Sequence, residues 1–331
     1  MFDTSDHHWY GLLGYDRHGA SSLGPEYTIN DEGQVSLAFG PAFHGGTSGH
    51  RTTHSSTPAP SMVGSPGGLQ IDLVWDPSVA HAPKSFRPAV IAAARYYATT
   101  YSDNEVITIN VGYGEIHGMK MGRADLGESQ SNGYMVSYSA LTAAMQSDGG
   151  PLSQAGNAPS SAQFFVTSAE AKALGLIDGH GGGVDGYIGL SSSLPLSYSA
   201  GGPSAGSKQY DATAIAEHEI GEIMGRIALE GSGGSFTPLD LFNFASPGVL
   251  ELSANGGYFS IDNGVTNLKT FDDAAANGGD VADWASNTPP SGSTYDAYDA
   301  FTFPGYHGVI TPADVALNEA LGYEPKAGSV A

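Results

Sequence analysis

Between residues 69 and 111 the chain reads strand, helix, strand, and this order narrows the fold more than any other feature of the sequence. Leu69-Gln-Ile-Asp-Leu-Val-Trp75 alternates apolar and polar residues, as a half-buried strand does. Over 83–100, Phe86, Val90, Ala94 and Tyr97 recur at helical spacing, with Pro83 and Pro88 in the first turn. Val106-Ile-Thr-Ile-Asn-Val111 is again alternating and β-branched, and Gly112 closes it. The unit has the length that a crossover between parallel strands requires, so the spacing predicts an α/β domain built on a mixed sheet with a backing helix.

The rest of the chain extends that reading. Short helices are expected over 138–147 and 168–174, the second capped by Ser168, and a strand over 185–190. The longest later helix is expected over 211–229, and a closing helix over 312–321. Residues 1–67 lack periodicity and read as an irregular segment whose histidines (His7, His8, His18, His44, His50 and His54) are solvated. Residues 68–230 then form one subdomain and 231–331 a second that completes a cleft. No internal repeat marks a solenoid or propeller.

Composition excludes several functions. The net charge of −22, from 34 acidic and 12 basic residues, repels a phosphate backbone, so nucleic acid is not an expected partner. No run of about 18 apolar residues is long enough to span a membrane. The first ten residues lack the basic and apolar regions of a signal peptide. With no cysteine, disulfides, thiolate metal sites and cysteine nucleophiles are all excluded, and a metal must be held by His, Asp, Glu or backbone oxygen. An acidic, cysteine-free chain with 47 glycines fits a secreted, extracellular bacterial protein.

The residues with the most chemistry are His218-Glu-Ile-Gly-Glu222. On a helical wheel, Ala216, Ile220, Ile223 and Ile227 form one side, while His218, Glu222 and Arg226 form a stripe on the other, with Glu219 beside it. Residues four apart on a helix converge on one ion, and a glutamate between them can polarise water there. His218 and Glu222 therefore read as metal ligands and Glu219 as a general base. Gly221 and Gly225 each cost about 1 kcal/mol relative to alanine inside a helix, which signals another segment approaching closely. The same spacing also allows Glu222 and Arg226 to form an i,i+4 ion pair that closes the site, with His218 an ordinary helix histidine.

The stretch from Ile71 to Tyr323 resembles a family of exported bacterial metalloproteases. The resemblance is carried by Ile71-Asp-Leu-Val-Trp-Asp76, Val111-Gly-Tyr-Gly-Glu115, Ala169-Glu-Ala-Lys-Ala-Leu-Gly-Leu176, Asp185-Gly-Tyr-Ile-Gly189, the His218–Arg226 segment, Pro238-Leu-Asp-Leu-Phe242 and Tyr258-Phe-Ser-Ile-Asp262. It implies a zincin-like α+β fold, zinc as cofactor and a protein or peptide substrate. A looser similarity links the order of elements to the metzincin clan, with Gly225 at the clan's helix-ending glycine. The sequence departs from that clan at Ala228, which stands at the third histidine, and in having no methionine after Met224. The resemblance implies Asp240 as the third ligand, against a turn or cap role, with His180 and His307 as lesser candidates. Arg226 would orient Glu222 or stabilise developing charge.

Two loops rich in hard oxygen, Asp262-Asn-Gly264 and the run from Asp272 to Asp280, read as turns or as calcium sites. Tyr187 is placed on an edge strand where an extended peptide could add. The expected function is zinc-dependent peptide hydrolysis. The rival is a non-catalytic adhesive or filament-forming protein that self-associates on the same scaffold. A carbohydrate hydrolase with paired carboxylates is a third reading, without a specific pair.

Overall fold

In the computed structural model of the protein, the described residues are 26–30, 35–37, 58–149, 161–229, 235–286 and 288–328. The fold is mixed α/β, built on a nine-stranded sheet. Its strands are β1 (Glu26–Asn30), β2 (Val35–Leu37), β3 (Ser61–Gly64), β4 (Gln70–Trp75), β5 (Val106–Tyr113), β8 (Gly127–Ser137), β9 (Gln163–Thr167), β10 (Gly186–Leu190) and β13 (Ser235–Phe236). A small hairpin, β6 (Glu115–Ile116) and β7 (Met119–Lys120), and a pair, β11 (Leu196–Ser197) and β12 (Tyr210–Asp211), complete the strands of this half. The order is β13-β9-β8-β10-β5-β4-β3, with β1 on β8 and β2 on β1.

The strand, helix, strand unit forms as expected. β4 and β5 pair in parallel from Gln70↔Val106 to Trp75↔Val111, and α1 (Phe86–Thr100) is the crossover. The alternation in β4 places Ile71, Leu73 and Trp75 in the core. α1 buries Phe86, Val90, Ala94 and Tyr97, and Phe86 and Val90 are each worth about 1.5–3 kcal/mol when removed from water. β10 extends the parallel part on the other side of β5, and β8 runs antiparallel to β10. Ser131 of β8 pairs with both Gly186 of β10 and Ile29 of β1, so β1 and β10 lie on opposite edges of β8.

Two expectations need correction. Residues 1–67 are not wholly irregular, because β1, β2 and β3 all join the sheet. They are three to five residues long, too short for a periodic pattern to stand out in the sequence. The six histidines assigned to that segment lie outside the described residues. Tyr187 does not lie on an edge strand either, since β10 is flanked by β5 and β8. Its ring stacks on His117 at 3.8 Å between centroids.

The other helices of this half are α2 (Tyr138–Asp148), α3 (Ser168–Ala173), whose cap is Thr167 rather than Ser168, and α4 (Ala212–Ile223). α4 lies between α1 and the strands β8 and β10. The chain beyond it adds a four-stranded sheet of β14 (Asn243–Ser246), β15 (Val249–Leu250), β16 (Tyr258–Phe259) and β17 (Lys269–Thr270). The short helix α5 (Ala274–Asn277), the pair β18 (Thr294–Asp296) and β19 (His307–Val309), and α6 (Pro312–Ala320) follow. One hydrophobic cluster runs from Val63 to Tyr323, so the described residues after 235 share a core with the main sheet.

Candidate active site

α4 carries the expected histidine and glutamates, and both of its ends are fixed by local chemistry. Asp211 caps the N-terminus by accepting from the amide of Thr213 at 3.1 Å, and its second oxygen meets His307 Nδ1 at 2.5 Å. The helix ends earlier than 229. Gly225 takes φ +103°, the amide of Arg226 donates to the carbonyl of Gly221 at 3.0 Å, and that of Gly225 donates to Glu222 at 3.0 Å. This is a Schellman cap, and it turns Arg226 away from the stripe before a further helical turn can form. Gly221 answers to a close approach as well: a Cβ there would run into the hydroxyl of Tyr298.

His218 is held from two sides. Its Nδ1 lies 3.0 Å from the carbonyl oxygen of Ala297, which can only accept, so Nδ1 carries a proton. Its ring stacks on Tyr298, with centroids 5.2 Å apart and planes 29° from parallel. Nε2 is thereby aimed at two carboxylates, Glu222 Oε1 at 3.4 Å and Asp283 Oδ1 at 3.6 Å. Glu219, 6% exposed, lies against Gly127 of β8. All four residues line a cleft of about 880 Å³. Residues 127–130 of β8 and the β6–β7 hairpin form one wall, and the stretch around Asp280 and Phe301 forms the other.

The electrostatics follow from crowding acids in a buried place. Burial disfavours the charge of His218, but Asp283 and Glu222 outweigh it and hold the imidazole well above its ordinary value. Burial pushes Glu222 up, while the hydrogen bond and charge of His218 bring it below the usual carboxylate range. Asp283 is raised well above that range by burial, with Asp280 and Glu222 adding to the effect. Asp280 is raised to about 6, chiefly by burial and then by Glu222.

Two residues expected at the site do other work. Arg226 is 1% exposed and pairs with Asp314 at 2.8 Å, its guanidinium packed 3.7 Å from the ring of Tyr298 and 4.4 Å from that of Trp284. It does not line the cleft, and among the described residues no Glu222–Arg226 ion pair closes the site. Arg226 acts on the site indirectly, by packing behind the tyrosine that carries His218. Asp240 caps the 3-10 turn Pro238–Phe242 and accepts from the amides of Thr237 at 2.7 Å and Leu229 at 3.4 Å. The cap role prevails over the ligand role because the Thr237 amide opens the turn and has no intrahelical acceptor, so the carboxylate supplies one.

The lesser candidates also lie elsewhere. His307 braces the N-cap of α4, while His180 sits in an exposed turn where its amide donates to Asp178 at 3.0 Å. In the Asp262 loop the carboxylate accepts from Thr266 and Ser260, which is turn chemistry and holds it down at about 2. The residues that sequence reading missed are Asp283, Asp280 and Tyr298. Asp280 stands in the Asn277-Gly-Gly-Asp run, which reads as a turn or a calcium site rather than as part of the α4 site, and no fixed spacing ties any of the three to α4.

Zinc takes donors at about 2.0–2.1 Å in a tetrahedron, which places neighbouring donors about 3.3 Å apart. One imidazole nitrogen and two carboxylates suit such an ion in donor type, and the two oxygens lie 3.4 and 3.6 Å from that nitrogen. Glu222 Oε2 is also buried without a hydrogen-bond partner. Among the described residues no group of three His, Asp or Glu side chains is arranged to hold a metal ion. The Nδ1 bond to Ala297 is the kind of contact that orients a ligating histidine. No family model, curated protein or solved structure matches the chain.

Proposed function

We propose that the protein is a secreted zinc-dependent peptidase with His218, Glu222 and Asp283 as ligands and Glu219 as general base. The observation that carries this reading is the convergence of Glu222 and Asp283 on His218 Nε2, in the floor of a cleft walled by a β-strand. A zinc ion would supply Lewis-acid polarisation of a water molecule and of the scissile carbonyl. Glu219, between the two helix ligands in sequence and beside β8, is placed to take the proton of the attacking water and pass it to the leaving amine. The wall formed by β8 offers backbone groups along which an extended peptide could align. Composition supports export, through the absence of cysteine and the charge of −22. Among the described residues no helix is long and apolar enough to cross a membrane.

The test is elemental analysis of purified protein, beside peptide hydrolysis by the same sample. About one zinc per chain is expected, retained in Glu219→Gln while hydrolysis is lost, and lost in His218→Ala. No zinc after zinc is offered, or full activity in Glu219→Gln, overturns the reading.

A further inference from the structure

The cleft is far more acidic than the chain around it. Six of the 21 described residues that line it are carboxylic (Asp125, Glu128, Glu219, Glu222, Asp280 and Asp283), and Lys120 is the one lysine or arginine among those 21. In the whole chain 34 of 331 residues are acidic, so the enrichment is nearly threefold and is not inherited from composition. His218, Asp283, Glu219 and the Oε1 of Glu222 are accounted for by the proposed peptidase chemistry. Asp280 is not.

Asp280 is held by its own turn. Its Oδ1 accepts from the amide of Ala282 at 2.7 Å and its carbonyl accepts from the amide of Asp283 at 3.2 Å. The cleft wall beside it is made of Ala274, Gly278, Gly279 and Ala300, four residues with little or no side chain, followed by Phe301. Small residues leave room for a long guest, and the carboxylate gives that guest's far end a charge to meet. A second observation also calls for a positive group: Glu222, 3% exposed, lines the same cleft with its Oε2 buried and unpartnered.

We propose that the cleft contains a subsite for a lysine or arginine side chain of a bound peptide, with Asp280 as its selectivity residue. The inference rests on the peptidase reading for the nature of the substrate and deepens it. The aliphatic stem lies along the small-residue wall toward Phe301, and the cationic head meets Asp280. An acidic peptide is repelled by the same lining. A neutral side chain of equal length gains the packing and lacks the ion pair.

The experiment is fluorescence anisotropy on the full chain with three labelled peptides identical except at one position, occupied by lysine, norleucine or glutamate. Chelator is present throughout, so neither zinc nor turnover enters the readout. The lysine peptide is expected to bind at least tenfold more tightly than the norleucine peptide, and the glutamate peptide more weakly than both. Asp280→Asn, whose amide oxygen can still accept from Ala282, should abolish the difference between lysine and norleucine. Glu319→Gln, at an exposed residue of α6 outside the cleft, should leave it unchanged. Thermal melts establish that both variants are folded. Equal affinities, no measurable binding by any peptide, or a lysine preference that survives in Asp280→Asn overturns the proposal. Zinc binding with Glu219-dependent hydrolysis but no lysine preference overturns the subsite and leaves the peptidase reading standing. A lysine preference that depends on Asp280, in a protein that neither binds zinc nor hydrolyses peptides, supports the subsite and overturns the peptidase reading.

Discussion

Arg226 meets Asp314 at 2.8 Å with both side chains fully buried, although Glu222 stands four residues before it. The indole Nε1 of Trp284 donates to the same Asp314 oxygen at 2.6 Å, and the guanidinium lies against the rings of Trp284 and Tyr298. α6 thereby anchors the cation that packs behind His218's tyrosine, and the Glu222 carboxylate is left to the cleft.

Removing one partner of such a pair strands the other charge in the core. Asp314→Ala is expected to cost about 3–5 kcal/mol in urea unfolding, and Arg226→Met combined with Asp314→Leu to recover much of it. A loss below about 1 kcal/mol would show that the pair contributes no more than a surface one.

Gly221 sets helix propensity against packing. Alanine is the better helix former by about 1 kcal/mol, yet its Cβ would meet the Tyr298 hydroxyl and ring. Overpacking of this kind costs about 1–3 kcal/mol, so Gly221→Ala should lower stability, with the melting temperature as the readout. Tyr298→Phe removes the hydroxyl and not the ring, and should restore only part of the loss. A rise in melting temperature for Gly221→Ala would mean that propensity wins and that Tyr298 moves freely.

Asp283 and Asp240 separate by what their loss affects. Asp283→Asn should weaken zinc binding by about 10- to 100-fold or more while leaving the unfolding midpoint nearly unchanged. Asp240→Asn should leave zinc affinity in place and cost about 1 kcal/mol, the usual worth of a cap. Zinc titration and urea unfolding on both variants check the pair. The reverse pattern would restore Asp240 as the ligand.

Asp103 gives the fold a pH dependence of definite sign. Burial raises its carboxyl from 3.8 to about 6, against the hydrogen bond donated by the amide of Glu324. Its folded value lies above the unfolded one, so the fold favours the protonated form. Stability is therefore fully present below about pH 4 and is lost as pH rises through 6, by up to about 3 kcal/mol. Asp103→Asn should remove that share of the decline, measured as the difference in unfolding free energy between pH 4 and pH 7. Glu105 and Glu170, both raised well above their ordinary values by burial, act in the same direction in the parent and leave a residual slope in the variant.

Much of the local structure was legible because it is written in neighbours. α1 begins and ends within a few residues of where Phe86, Val90, Ala94 and Tyr97 place it, and Pro312–Ala320 forms where a helix was expected. The cost of glycine inside a helix pointed to a close approach at Gly221, and Tyr298 supplies it. The Schellman cap at Gly225 was less legible. Periodicity continues through Ile227 against the resemblance that put a helix-ending glycine at Gly225, and the reversal of the backbone there shows that the helix has ended.

By itself the sequence determined the strand, helix, strand unit, the spacing of His218 and Glu222 on one helix face, and the exclusion of thiolate chemistry. These depend on short-range periodicity or on the mere presence of a residue type. Only the tertiary structure decided that Asp283 rather than Asp240 faces His218, that Arg226 belongs to Asp314, and that β8 rather than β10 walls the cleft. A buried carboxylate takes whichever donor best offsets its desolvation, and that donor is chosen by how distant segments pack. For Asp240 it was the amides of Thr237 and Leu229, and for Asp314 a cation from beyond α4.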